Sequence, residues 1–146
     1  MTLRRQITGL IAIAALAFVV WAGYGAFRTR RLLPEAYAAW DTGTLIVEYL
    51  KANDDRWPTS WDDLLTVLDS PGGADIPLYG SQAGDRVYAR SLREKVAVDW
   101  SYDPAMIADA TPVTRPDGHG FPVLWDGGDP NEMIREYLSG RDRGRQ

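Results

Sequence analysis

The sequence predicts an α+β protein in which an N-terminal transmembrane helix continues into a long amphipathic helix, packed against a short helix and a small antiparallel sheet. Three observations support this prediction. Residues 7–27 carry no charge and would span roughly 30 Å as a helix, the thickness of a hydrocarbon core. Apolar residues then recur at helical spacing after Pro34. Finally, residues 96–102 alternate in polarity as a half-buried strand does.

The first element is the predicted membrane anchor. Arginines flank the apolar run, and its aromatic residues fall where membrane–water interfaces favour them. The candidate anchor residues are Ile7, Leu10, Phe18, Trp21, Tyr24 and Phe27. A cleaved signal peptide is the alternative, because small residues near Gly23 and Gly25 suit a peptidase, but the following RTRR disfavours cleavage there.

The anchor sets the predicted organisation and location. We expect an N-terminal tail over residues 1–6, the transmembrane helix over 7–27, an extramembrane α+β domain over 28–138 and a flexible tail over 139–146. Arginine counts on the two sides of the helix are close to equal, and we place the short N-terminus inside. The sequence thus predicts a single-pass protein of the bacterial inner membrane with a periplasmic domain, whose partners are the lipid bilayer and other membrane protein subunits.

Charge narrows the class of partner. All 20 Asp and Glu residues lie at or after Glu35, together with 11 Lys and Arg, which leaves that part of the chain with a net formal charge of −9. Such a domain repels nucleic acid, so no nucleic-acid partner is expected. The chain has no cysteine, which excludes a disulfide framework and a thiolate metal site.

The second element is a long helix that begins near Pro34 and ends near Asn53. Its apolar stripe has a regular three-and-four spacing and comprises Leu33, Tyr37, Trp40, Thr44 and Val47. The stretch NDDRWPTSWDDLL follows, with two acidic pairs that raise the question of a metal or acid–base site. We interpret it as a turn and a helix start instead, with Thr59 as the N-cap and Asp62 at the capping-box position.

The remaining elements are strands and a final helix. Alternation predicts a hairpin of residues 87–92 and 96–102, and the apolar run FPVLW at 121–125 predicts another short strand. A loop with Gly and Pro precedes the hairpin, and a second loop runs to Gly120. The Asp-Pro pair at 129–130 predicts the start of the last helix.

In this layout, Glu35 to Leu68, and RWPTSWDDLL above all, resemble type IV pilin-like proteins and type II secretion pseudopilins. The DGHG turn at 117–120 followed by VLWDGG is similar to a late hairpin of some members. The resemblance implies a long helix leaving a membrane, a short helix and a small sheet. A filament would also need a Glu near the start of the mature helix, whereas Arg4 and Arg5 would enter an apolar helix core only at a cost.

The candidate sites are few. An oxygen-rich cluster is typical of calcium sites, which pseudopilins often have near their terminal loop, and it comprises Asp126, Asp129, Asn131 and Glu132. The alternative is that Asp129 caps the last helix. His119 is the only histidine and lies in a turn, so no catalytic residue and no resident cofactor are predicted, with calcium as the one possible ligand.

The tryptophans suggest a role in binding. A small domain buries only some of them, and Trp is enriched at protein interfaces, so we expect Trp57, Trp61 or Trp125 to contact another chain. The sequence therefore predicts a non-enzymatic structural or accessory subunit of a larger membrane complex, of respiratory, photosynthetic or secretion type. The alternative is a pseudopilin-like component of a secretion or pilus system.

Overall fold

The computed structural model describes residues 17, 18, 21, 32–105 and 110–144. The chain divides into two compact units, Met1–Leu33 and Pro34–Gln146. In the first unit, Phe18 and Trp21 are helical and exposed, with ring centroids 6.1 Å apart. The other predicted anchor residues, Ile7, Leu10, Tyr24 and Phe27, lie outside the described residues.

The prediction of a transmembrane helix is wrong. Across the described ranges, no helix has both the length and the apolar composition that crossing a membrane requires. The longest of them, α1 at residues 32–52, carries charged side chains at Glu35, Asp41, Glu48 and Lys51, which a bilayer core disfavours. Most of the predicted span, 7–27, falls outside the described residues. The predicted fold class, single-pass topology and inner-membrane location are corrected accordingly: the fold is helix-rich with a two-stranded antiparallel sheet.

Helix α1 is buried on more of its circumference than the predicted single apolar stripe covers. Leu45, Ile46 and Leu50 are fully buried, whereas Tyr37 and Trp40 of the predicted stripe are half-buried. Gly43 explains part of this burial, since a Cβ there would lie 2.8 Å from Cα of Pro130. The glycine thus lets the start of the last helix approach α1 closely, which offsets its low helix propensity of about 1 kcal/mol relative to Ala.

The turn after α1 uses two left-handed residues in succession. Asp54 and Asp55 have φ angles of 52° and 59°, and Arg56 N donates to Asn53 O at 3.1 Å. Asp is one of the few residue types that tolerates this conformation, because its short polar side chain bonds locally. Asp55 also accepts a 2.7 Å hydrogen bond from Tyr137 Oη of the last helix. The acidic pair is therefore part of a turn.

The short helix α2, Trp61–Leu64, starts one residue later than predicted. Ser60 is the N-cap, and its Oγ accepts from Asp63 N at 3.1 Å. Asp63 Oδ2 in turn accepts from Thr59 N at 2.8 Å and from Thr59 Oγ1 at 2.9 Å. Ser60 and Asp63 thus hold the helix start, with the reciprocal bond of Asp63 made to Thr59, one residue before the N-cap. A 3₁₀ segment, Leu65–Asp69, continues the chain, and another covers Gly73–Asp75.

The predicted hairpin is wrong in its first strand. Residues 87–92 are mostly helical: α3 spans Arg86–Ser91, and a 3₁₀ turn covers Leu92–Glu94. Asp85 caps α3 by accepting from Tyr88 N at 3.0 Å, a local signal that outweighs the short alternation. Strand β1, Ala97–Val98, pairs antiparallel with β2, Val113–Thr114, with Ala97 opposite Thr114 and Val98 opposite Val113. Residues 121–125 form no strand.

The last helix, α4, spans Pro130–Gly144 and so continues past Leu138, where the sequence predicts the tail to begin. Ile134 and Leu138 are buried on its inner side. The core of the second unit draws on every helix and both strands. Its members include Leu45, Ile46, Leu50, Leu64, Leu92, Val98, Val113, Ile134 and Leu138.

Candidate interaction surface

Trp57 is held by its own chain. Its indole Nε1 donates to Asp99 O at 2.8 Å, and its ring meets Tyr102 edge-on with centroids 4.7 Å apart. The side chain is half-buried and packs against the core. Because the polar edge of the indole already has a partner, Trp57 joins the end of β1 to the α1–α2 connection.

Trp61 has a similar position. It contacts Trp100 edge-on at 5.6 Å, and both rings pack partly buried against the core. The four residues Trp57, Trp61, Trp100 and Tyr102 thus form an inner aromatic cluster. An interface role for Trp57 and Trp61 stays a prediction, and the structure shows that a large part of each ring is already used within the chain.

Trp125 belongs to a different group of rings. Its centroid lies 5.5 Å from that of Tyr37, and one helical turn along α1 the ring of Trp40 lies 4.3 Å from that of Tyr79. We call Tyr37, Trp40, Tyr79 and Trp125 the outer aromatic surface. Trp125 is 38% exposed and Tyr79 is 51% exposed, so these rings face solvent while being packed against one another.

Gly128 joins the two ring pairs. A Cβ at this position would lie 2.9 Å from Cε3 of Trp40 and 3.2 Å from Cβ of Trp125. Gly128 N donates to Trp125 O at 2.9 Å, which closes a tight turn. The missing side chain therefore lets the loop seat against Trp40 and places Trp125 beside it.

A buried carboxylate fixes Tyr79 in this surface. Asp41 of α1 is fully buried and accepts three hydrogen bonds, from Tyr79 N at 2.6 Å, Gly80 N at 2.9 Å and Tyr88 Oη at 2.7 Å. Burial of a carboxylate is costly unless such donors compensate for lost water. The network therefore holds the 79–80 loop and α3 against α1, and it determines where the ring of Tyr79 lies.

The electrostatics agree with this structural role. Burial raises the pKa of Asp41, while the three hydrogen bonds oppose the rise. Burial and the neighbouring Asp41 raise the pKa of Tyr88, so its hydroxyl keeps the proton that it donates. Burial alone would raise the pKa of Asp63, but hydrogen bonds from Thr59 and Tyr49 bring it below its ordinary value.

The predicted calcium residues take different positions. Asp129 Oδ1 accepts from Asn131 N at 2.8 Å, as a helix cap does. Asn131 is buried, and its amide bridges the backbone of β2: Oδ1 accepts from Val113 N and Nδ2 donates to Val113 O, each at 2.9 Å. Asp126 and Glu132 are exposed. Two of the four side chains therefore have structural partners, and calcium binding stays a prediction.

His119, Asp99 and Asp103 each make contacts within their own turns. His119 is 81% exposed, and its Nδ1 lies 3.5 Å from Asp117 Oδ1 in the 115–119 turn. Asp99 Oδ1 accepts from Ser101 N at 2.9 Å, and Asp103 Oδ1 accepts from Ala105 N at 2.9 Å. Each carboxylate thus terminates a turn, and these contacts do not assemble the nucleophile–base–acid chain that acyl transfer requires.

Two charged clefts lie elsewhere on the second unit. One, of about 260 Å³, lies beside the Arg86–Asp69 ion pair and is also lined by Arg90. The other, of about 300 Å³, contains Arg115, whose Nε lies 3.4 Å from Glu35 Oε2. Arg86 and Arg115 are each paired with a carboxylate of the chain, while Arg90 and Lys95 also line the two clefts. We take the outer aromatic surface as the stronger candidate for binding because its exposed rings are packed against one another.

Sequence reasoning missed most of this surface. Of its four rings only Trp125 was among the predicted interface residues, and the network of Asp41 and Tyr88 was not foreseen. One signal was present: Asp41 lies four residues after Tyr37, beside an apolar stripe, where a charge needs a buried partner. Comparison of the chain with family models, curated proteins and solved structures gives no match. The pilin-like resemblance therefore stays a prediction.

Proposed function

We propose that this protein is a non-enzymatic accessory subunit of a larger protein assembly, and that it binds a partner protein through the outer aromatic surface. The observation that carries the proposal is the pairing of Tyr37 with Trp125 and of Trp40 with Tyr79, with Trp125 and Tyr79 left exposed. Exposed aromatic groups of this kind are typical of protein interaction sites.

The rigidity of the surface supports a binding role. Asp41 fixes the backbone at Tyr79, and Gly128 seats the loop that carries Trp125. Rings that are already ordered lose little conformational entropy on binding, and this makes Trp and Tyr effective anchors. The non-enzymatic part of the proposal is supported by the structural use of Asp41, Asp63 and Asp129, whose oxygens accept hydrogen bonds that hold the fold together.

Site-specific photocrosslinking tests the proposal. A photoreactive phenylalanine analogue would replace Trp125 in one variant of the full chain and Val87 in a control variant. Val87 is 81% exposed and lies on α3, outside the outer aromatic surface. We expect adducts to a different protein from position 125 in the native host, and none from position 87.

A second control tests whether the adduct depends on the packing of the outer aromatic surface. Gly128→Val places a side chain against Trp40, so it should abolish the adduct from position 125 while the protein remains folded by circular dichroism. Equal adducts from both positions, or adducts that survive Gly128→Val, would refute the proposed surface. A ladder of self-adducts would show that the partner is a second copy of the chain.

A further inference from the structure

We infer that the occupant of the outer aromatic surface is a basic segment of another protein, with an arginine or lysine side chain lying against the rings of Trp125 and Tyr79. The inference rests on the proposed function and names the chemistry of the partner. The cation of such a residue is attracted to the face of an aromatic ring, most strongly to Trp.

Charge around the rings favours this occupant. Within five positions of Tyr37, Trp40, Tyr79 or Trp125 the sequence has no lysine or arginine, whereas each of these stretches contains Asp or Glu. The sequence next to the four rings is therefore acidic. Asp126 directly follows Trp125 and is exposed, which places a carboxylate next to the indole.

The charge of the whole unit points the same way. From Glu35 onwards the chain carries 20 acidic and 11 basic side chains, a net formal charge of −9. Such a field attracts a basic segment and speeds its association. Charge complementarity thus favours a basic partner segment, and the crosslinking test distinguishes another protein from the arginines at 28, 30 and 31 of a second copy, which would give self-adducts.

Peptide titration tests the chemistry directly. The probe is the acetylated, amidated peptide GARAGARAG, and its control carries citrulline, a neutral isostere, in place of each arginine. Binding to the full chain would be followed through the indole N–H signal of Trp125 in NMR spectra, assigned with Trp125→Phe. We expect the arginine peptide to bind about tenfold more tightly than the citrulline peptide, the range of a partly desolvated cation–π contact.

Variants locate the binding, and isothermal titration calorimetry compares them because Trp125→Ala removes the NMR signal itself. Trp125→Ala should weaken binding of the arginine peptide about tenfold and Asp126→Asn about threefold, through loss of the ring and of the adjacent charge. Trp61→Phe, a change in the inner aromatic cluster, should leave it unchanged. The affinity should also fall as salt is added, because surface charges are screened.

Two results would overturn the inference. Equal binding of the arginine and citrulline peptides would show that the surface selects apolar rather than basic segments. Failure of both peptides to bind, alongside a heterologous adduct at position 125, would show a partner of another kind and leave the proposed function standing. If the adduct is also absent, or consists only of self-adducts, the proposed heterologous function fails with it.

Discussion

The inner aromatic cluster and the outer aromatic surface contain the same residue types and differ in what the rings contact. In the inner cluster, Trp57 donates its indole N–H to Asp99 O, and its ring and that of Trp61 pack against the core. In the outer surface, Tyr79 and Trp125 face solvent on supports provided by Asp41 and Gly128. A tryptophan count therefore does not identify an interface. The useful distinction is whether the ring is packed within its own chain or exposed to solvent.

The variant with the largest expected loss of stability removes the carboxylate that holds the outer aromatic surface in place. Asp41→Ala leaves Tyr79 N, Gly80 N and Tyr88 Oη without their acceptor. These donors are partly buried, so each one left unsatisfied costs about 1 kcal/mol, and we expect the free energy of unfolding to fall by about 3 kcal/mol. Urea denaturation measures this loss.

The matched control for that experiment is Asp62→Ala. The Asp62 side chain is 90% exposed and lies 3.8 Å from Arg93. An exposed pair of this kind contributes about 0–1 kcal/mol, so this variant should be close to the original protein. A loss of similar size in both variants would mean that the Asp41 network does not support the surface.

A pair of tryptophan variants separates the two groups of rings. Trp61→Ala removes a ring packed against the core and against Trp100, and we expect it to lower the free energy of unfolding by about 2 kcal/mol. Trp125→Ala removes an exposed ring and should cost less than about 1 kcal/mol, yet it should weaken partner binding. Thermal or urea unfolding gives the first quantity, and peptide titration gives the second. The reverse order of stability losses would contradict the assignment of the two groups.

The smallest expected losses of stability test which residue is the N-cap of α2. Ser60→Ala removes the side chain that accepts from Asp63 N and should cost about 1 kcal/mol. Thr59→Ala keeps the backbone N–H bond to Asp63 and loses only the hydroxyl bond, so its cost should be about half as large. Urea denaturation of the two variants compares the losses. A larger loss for Thr59→Ala would restore the cap predicted from the sequence.

The sequence determined those helices and turns that depend on interactions between residues close together in the chain. The helix after Pro34 is present, because a long three-and-four spacing has few alternative structures. The helix start at Asp129 follows from a side chain that bonds to its own backbone neighbour. The turn at Asp54 and Asp55 follows from the tolerance of Asp for positive φ angles. The alternation of polar and apolar residues over 87–92 is too short to distinguish a strand from a helix. The N-cap at Asp85 stabilises the helix that forms there. The membrane prediction for residues 7–27 rested on hydropathy, flanking arginines and aromatic positions, and the described helices do not bear it out.

The binding surface was decided only by tertiary structure. Asp41 and Tyr79 are 38 residues apart in the sequence, and nothing near either residue in the sequence indicates that they form a hydrogen bond. The rings of Tyr37 and Trp125 likewise come from distant segments that meet because α1 and the loop before α4 pack together across Gly43 and Gly128. The sequence determined which residues are suited to an interface, since that depends on side-chain chemistry. Packing decided which of them are displayed, because exposure is a property of the folded chain as a whole.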